Sequence, residues 1–213
     1  MEVRKVKVLS EPFTVWEIAG VYQTAFAHEP WLEGYRCPLC NSVFGFTAHL
    51  SLCPNCRKED MLINLIEYWP ISRVITDFYT ENTKENAICL VAEEDGSAVG
   101  FAWRYRFDIS PSTEVKISAT GLSKIYMRSV FYLDECAVLP KLQGQGIGKT
   151  LIQEILKKQP YDIMILRTLE GSLMQKLIEG LGGEYILPVS EGRIIMKIIK
   201  NESLHKFISP PHY

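Results

Sequence analysis

Nowhere in this 213-residue chain does an uninterrupted apolar run approach the ~18 residues of a membrane-spanning helix. The opening Met-Glu-Val-Arg-Lys leads into no signal-peptide core. Together these absences lead us to expect a soluble, cytoplasmic protein with no membrane partner. An excess of positive charge is lacking too: 23 Lys and Arg face 25 Asp and Glu, for a net charge of -2. Without a global positive field the chain has no general means of recruiting nucleic acid, and only a local basic patch stays open for it. The chain is too short for two large domains. It fits one ordinary domain with an insert or a small added module, enough to bury a sizeable core. A monomer or a homodimer is expected.

Six cysteines are present, and four form a set. Cys37-Pro38-Leu39-Cys40 is followed, after twelve residues, by Cys53-Pro54-Asn55-Cys56. A tight C-P-x-C turn points both sulfurs to one side, and two such turns complete the tetrahedral S4 site that Zn²⁺ adopts when no position is left open. Iron is chemically allowed in the same site. Two disulfides are the other alternative, but nothing suggests an oxidising compartment. With four thiolates bound, the metal has no vacancy for water or substrate, so its role is structural. It would fold an insert of residues 35–58 that is too short and polar to hold itself together. Trp31, Tyr35, Phe44 and Phe46 are read as apolar caps on the two turns, His49 as a surface residue, and Cys89 and Cys136 as small buried apolar residues.

The remainder alternates between helix and strand patterns. Thr14-Val15-Trp16-Glu17 has the form of a capping box, and Val15, Ile18, Ala19, Tyr22 and Phe26 recur at helical spacing, giving a first helix to about Ala27. Ile71, Val74, Ile75, Phe78 and Tyr79 give a second. Residues 87–92 and 98–105 read as strands joined through Glu94-Asp95-Gly96-Ser97. Residues 109–124 are polar and fit a long loop over an active site. A strand pattern returns over 126–139 and stops at Pro140, which cannot donate to a ladder.

Directly after it comes Gln143-Gly144-Gln145-Gly146-Ile147-Gly148-Lys149, then a helix with Leu151, Ile152, Ile155 and Leu156 on its buried side. Strand, glycine loop and helix in sequence let backbone N–H groups approach a phosphate closely, with the helix N-terminus adding its positive end. The spacing separates three candidate motifs. G-x-G-x-x-G fails because Lys149 stands where the third glycine belongs. G-x-x-x-x-G-K-[ST] keeps Gly148-Lys149-Thr150 but has Gln143 in place of its first glycine. The pattern [RQ]-x-x-G-x-[GA] is met by Gln143, Gly146 and Gly148. With Ala137-Val138-Leu139-Pro140 before it, this segment resembles the acetyl-CoA motif of the GNAT acyltransferases.

The resemblance covers most of the chain: a helix pair, a hairpin, the long strand with its loop and helix, then strand (161–168), helix and closing hairpin (185–189 and 194–199). Ser172 to Gln175 opens the later helix as a capping box, Leu173, Leu177, Ile178 and Leu181 form its stripe, and Gly182-Gly183 stops it. The resemblance implies an α/β fold, a mixed sheet with helices on both faces, of the GNAT acyl-CoA N-acyltransferase kind, with the zinc insert between the first two helices, a region bordering the acceptor site. It implies a splayed pair of central strands, the pantetheine arm bonding to backbone at Cys136, Ala137 and Val138. The loop Gln143, Gly144, Gln145, Gly146, Ile147, Gly148 and Lys149 would hold the pyrophosphate.

Transfer to an amine requires the neutral base, yet a free alkyl amine has a pKa of about 10. Asp134 and Glu135 are the candidates to bind the ammonium and accept its proton, and strand alternation puts them on opposite faces. The family position four residues before the valine favours Asp134, with Tyr132 on the same side. The alternative is that both carboxylates only solvate a strand end or pair with Arg128 or Lys141. Many relatives carry N-x-x-A-x-x-x-Y on the later helix, whose tyrosine protonates the leaving thiolate. Here Gly171 and Ile178 occupy those places, so Tyr185, Tyr132 or water would serve. The expected activity is acetyl transfer from acetyl-CoA to an amine-bearing acceptor. The alternative is a non-catalytic protein that senses acetyl-CoA or docks a macromolecule through the zinc module.

Overall fold

The computed structural model describes residues 1–29, 31–37, 39–44, 53, 55–56, 66–67, 69–107, 130–158, 163–189 and 192–199. The predicted loop over 109–124, together with Phe46, His49 and Arg128, lies outside them. The elements run β1 (Glu2–Lys5), α1 (Pro12–Phe26), β2 (Tyr35–Arg36), β3 (Val43–Phe44), β4 (Ile66–Glu67), α2 (Ile71–Asn82), β5 (Ile88–Glu94), β6 (Ser97–Arg106) and β7 (Val130–Val138). A 3-10 turn (Pro140–Leu142), α3 (Ile147–Lys157), β8 (Ile163–Leu169), α4 (Leu173–Gly180), β9 (Glu184–Pro188) and β10 (Arg193–Ile199) follow. This is the expected mixed α/β order. Seven strands form one mixed sheet in the order β1-β5-β6-β7-β8-β10-β9, and three short ones form a second in the order β3-β2-β4. No helix among the described residues is long and apolar enough to cross a membrane.

The chain divides into two compact units, one holding Met1–Arg104 with Glu135–Ile155, the other Tyr105–Asp134 with the chain from Leu156. In the first, β5 and β6 pair antiparallel through the two-residue turn Asp95-Gly96. Both turn residues have positive φ (50° and 78°), the backbone that two-residue hairpins require and that an Asp-Gly pair adopts readily. Val15, Ile18, Val21 and Tyr22 of α1 and Val74 and Phe78 of α2 bury against Phe101 and Trp103 of β6 in one apolar cluster.

The first helix begins differently from the sequence expectation. Its N-cap is Glu11, Pro12 occupies the first turn, and Thr14 is buried inside the helix. Proline needs no N–H partner at that position and its φ suits a first turn, so the N-cap falls at Glu11, three residues earlier than a capping box at Thr14 would place it. Arg4 of β1 clasps this end, bonding to Glu93 of β5 at 2.9 and 2.7 Å and to Glu11 and Thr14. The Lys7 backbone N–H, and then Arg4, hold the Glu11 carboxyl below its ordinary value of 4.5.

In the second unit β7 runs parallel to β8 from Val130↔Ile163 to Leu133↔Leu166, and β10 pairs antiparallel with β8. Ser172 caps α4 as its motif predicts, accepting from the Gln175 N–H at 3.1 Å, while Gln175 Oε1 accepts from the Gly171 N–H at 2.7 Å. The predicted stripe narrows to Ile178, which is fully buried; Leu173 is 66% exposed, because an eight-residue helix presents little more than two turns to its sheet. At the far end Gly183 N–H bonds to Ile178 O (2.8 Å) and Gly182 N–H to Glu179 O (2.9 Å), the paired bonds of a Schellman stop. A Cβ on Gly183 would meet Ile178 Cγ2 at 2.3 Å and its carbonyl oxygen at 2.8 Å. Since Ile178 is fully buried, it cannot turn aside. Gly183→Ala is therefore expected to destabilise the protein by about 1–3 kcal/mol, read as a lowered denaturant midpoint with an unchanged slope.

Candidate functional site

The strand β7 stops at Val138 because Pro140 follows, and the chain turns at once into α3. Three contacts fix this corner. Leu139 N–H donates to Val99 O of β6 at 2.9 Å, and Gln143 Nε2 donates to Val138 O at 3.1 Å. Gly100 of β6 completes it: a Cβ there would meet Ala137 O at 3.1 Å, Val138 Cγ2 at 3.2 Å and Ile147 Cγ2 at 3.4 Å. A side chain at 100 would make the strand end and the first residue of the helix give by a few tenths of an ångström.

Gly144 and Gly146 then take φ of 79° and 85°, which a Cβ-bearing residue rarely tolerates. Thr150 N–H closes the first helical bond onto Gly146 O at 2.9 Å. By helix geometry the amides of Gly146, Ile147, Gly148 and Lys149 have no intrahelical partner. Gly146 stands at the capping position with no side chain to claim them, whereas α4 has Ser172 for that purpose. The arrangement presents free N–H donors and a positive helix end on an exposed turn, a ready site for a pyrophosphate.

Along β7, Ala137 and Val138 are buried and Asp134, Glu135 and Cys136 half-buried. Burial pushes the Cys136 thiol up to about 12, and the neighbouring Glu135 charge adds to the shift. At neutral pH the group stays a thiol, which makes it a poor nucleophile. Cys89 is buried and its thiol is pushed up further by the same cause. Tyr132 is packed between two rings, Tyr105 at 5.8 Å and Phe107 at 5.6 Å.

The four knuckle cysteines come together. Their ligand atoms all lie within 4.8 Å of one another, with Cys37 Sγ to Cys56 Sγ 3.9 Å and Cys40 Sγ to Cys53 Sγ 3.6 Å. A disulfide needs about 2.05 Å, whereas Zn–S bonds of about 2.3 Å in a tetrahedron put neighbouring sulfurs about 3.8 Å apart. The spacing fits a metal. The first turn is built by Asn41, at φ 58°, with Asn41 N–H donating to Cys37 O and Cys37 N–H to Ser42 O, both at 2.9 Å. The Ser42 hydroxyl and backbone amide hold the Cys40 thiol down to about 6, in the direction of a thiolate ligand, while burial pushes Cys56 up to about 12. Asn55 Nδ2 bonds to Ser42 Oγ at 2.8 Å, tying the second turn to the first.

Residues 55–160, about half of the chain, match the acetyltransferase (GNAT) family. The chain belongs to the acetyltransferase (GNAT) family. Similar solved structures include PH1933 from Pyrococcus horikoshii OT3, at 18% identity and TM-score 0.58, covering 94% of this chain and 98% of that one. A ribosomal-protein-alanine N-acetyltransferase from Brucella melitensis is similar at 14% identity and TM-score 0.54, covering 94% and 100%. The Salmonella typhimurium protein yncA, solved with its cofactor acetyl-CoA, is similar at 13% and 0.55, covering 100% and 98%. At such identities the likeness shows the fold. No curated protein matches. Membership makes the GNAT chain an acetyl-CoA-dependent N-acyltransferase by class.

Several features of this GNAT chain were not legible beforehand. Trp31 packs on Phe26 of α1, ring centroids 5.4 Å apart, a contact that no local pattern signals. Trp69 does the same on Tyr22 at 6.2 Å, with Arg73 lying 3.9 Å from its ring centroid and Gln23 Nε2 donating to its carbonyl at 2.8 Å. Thus a tryptophan at each end of the cysteine segment anchors it to α1. Gly100, Ser42, Tyr105, Phe107 and the fully buried Arg104 were likewise passed over. Gly146→Val is expected to weaken acetyl-CoA binding at least about tenfold, because the positive φ is costly for a β-branched residue; isothermal calorimetry against wild type checks it.

Proposed function

We propose that this protein acetylates a primary amine, by direct attack of the amine on the thioester of acetyl-CoA. The observation that carries the reading is the turn from β7 into α3, where two positive-φ glycines and an uncapped helix N-terminus face outward beside an exposed Gln145 and Lys149. The amides of Gly144 to Lys149 would hold the pyrophosphate, and the backbone of Cys136 to Val138 the pantetheine arm. Gln143, whose amide is engaged by Val138 O, would pin the loop rather than touch phosphate.

Asp134 would bind the acceptor as an ammonium, take its proton and so free the lone pair; Glu135, on the other face, is the second choice. The nitrogen then forms the C–N bond at the thioester carbonyl and gives up its second proton to water, the C–S bond breaks, and CoA leaves as a thiolate. Ile178, which replaces the tyrosine of many relatives, is fully buried and offers no acid. A thiolate is a fair leaving group, so water is a sufficient proton source, with Tyr132 the nearest phenol along the strand. An acyl-cysteine route through Cys136 is disfavoured by its raised thiol.

We assign Cys37, Cys40, Cys53 and Cys56 to one structural Zn²⁺, with residues 35–58 as the insert it folds and a reducing, cytoplasmic compartment as its setting. CoA release from acetyl-CoA with a panel of amines, run beside a gel shift with nucleic acid, tests the reading against a docking protein: turnover with an amine supports the enzyme, and a gel shift without turnover overturns it. Asp134→Asn is expected to lower turnover at least about a hundredfold with acetyl-CoA affinity unchanged; an unaltered pH-rate profile would remove Asp134 from the mechanism. Elemental analysis of protein purified without chelator should find one zinc per chain, iron being the distinguishable alternative. Cys53→Ala should abolish metal binding and raise the acceptor KM while acetyl-CoA affinity holds.

A further inference from the structure

The outward face of α1 is apolar where a solvent-facing helix is ordinarily polar. Phe13 is 74% and Trp16 56% exposed, one turn apart on the same stripe, and Gly20 follows Trp16 after a further turn. Thr24 continues the stripe, its hydroxyl donating to Gly20 O at 2.8 Å. All four residues belong to the first unit. The opposite face of the helix is committed to the core through Val15, Ile18, Val21 and Tyr22. Burial within the chain accounts for that face and leaves the two rings in solvent.

Gly20 is an independent observation about the same face. Only proline is a poorer helix former, yet Gly20 stands in the middle of a 15-residue helix. Nothing inside the chain asks for glycine there: its φ is not positive, and a Cβ would meet nothing within 4 Å. At Gly100, by contrast, a Cβ would meet three atoms between 3.1 and 3.4 Å away, so the fold has a use for that glycine and none for Gly20. What a glycine on an exposed stripe does provide is a flat place that a large side chain or another backbone can approach closely. Trp16, one turn away, is such a side chain.

We propose that α1 pairs with α1 of a second copy of this chain, antiparallel and across a two-fold axis level with Ile18, so that Trp16 of each copy lies over Gly20 of the other. Position 18 is midway between 16 and 20, and one axis therefore makes both contacts at once, as an isologous interface requires. The same axis brings Phe13 level with Gln23 and Thr24 of the second copy. Charge selects this occupant over an anionic lipid surface: helices that lie on such membranes carry Lys or Arg beside their apolar face, whereas α1 has neither and Glu17 stands half-buried at the rim of the stripe. Area sets the strength. Covering the exposed parts of two aromatic side chains takes about 300 Å² per copy from water. With Pro12, Glu17, Gly20 and Thr24 the contact reaches about 1,000 Å² over the pair, the lower bound of a specific association. The dimer is accordingly weak, with a Kd of about 10–100 µM. The pairing does not depend on the acetyltransfer reading.

Sedimentation velocity of the full-length protein from about 1 to about 200 µM tests the pairing. The mass is expected to rise from that of the 24.3 kDa chain toward twice that value. Gly20→Ala adds one methyl where the monomer has room for it, so it should raise the thermal midpoint through better helix propensity while weakening the dimer at least about threefold. Effects of opposite sign in one variant cannot come from misfolding. Trp16→Glu, at a position already 56% exposed, should stay monomeric at every concentration with its helix content unchanged. A wild-type protein that is monomeric at the highest concentration overturns the proposal, and so does a dimer that either variant leaves intact. Should that monomer instead co-sediment with phosphatidylglycerol vesicles, the face belongs to a lipid surface and the pairing is wrong.

Discussion

Gly100 is the constraint on which the candidate cofactor site rests. Because it has no side chain, Ala137 O, Val138 and Ile147 can all lie where its Cβ would be in contact, and strand end and helix start are drawn onto one point of β6. From that point the rest follows by short steps. The Leu139 amide is taken by Val99, the Val138 carbonyl by Gln143, and the chain must reverse within the few residues left. Glycines at 144 and 146 make the reversal possible, and the helix begins with its amides uncommitted. A larger residue at 100 would press on Ala137, Val138 and Ile147 from outside the loop, so the geometry of the turn is set from beneath.

The cysteine site is governed by a different balance. Four sulfurs held within 4.8 Å of one another are unfavourable as thiolates by mutual repulsion and, with Cys37 and Cys53 buried, by desolvation as well. A doubly charged metal bound there would offset both costs, and folding of the turns and binding of the ion would then be one equilibrium. The Ser42 hydroxyl and amide beside Cys40 favour a thiolate at that sulfur. Asn41 at positive φ and the Asn55–Ser42 bond shape the turns, and neither supplies the charge that the sulfurs lack.

What the sequence disclosed was local, and what it withheld was long-range. Glycine spacing after a proline-terminated strand defined the loop from Gln143 to Lys149, since its turn and helix start lie within a few residues, whereas its support from Val99 and Gly100 of β6 left no local mark. Ser172 and the Gly182-Gly183 stop were legible for the same reason. The start of α1 was misplaced because Thr14 has the chemistry of a cap, while Pro12 and the clasp of Arg4 on Glu11, which decide the matter, involve β1 and β5. Trp31 carried no mark of its packing on Phe26, and Tyr105 and Phe107 read only as strand residues until β6 was set beside β7. Burial of Arg104 is invisible in a strand pattern that alternates imperfectly.

The two anchoring tryptophans also determine what light would see in this protein. The chain has four tryptophans. Trp103 is enclosed in the core beside Phe78 and Phe101, and Trp16 lies largely in solvent, 56% exposed. The other two, Trp31 and Trp69, are half-buried at opposite ends of the cysteine segment, each against a ring of α1. Two of the four indoles therefore sit where the segment joins its support, with a guanidinium directly over one of them. The protein carries its own optical reporters at those joints, and changes in the segment would register there without any attached label.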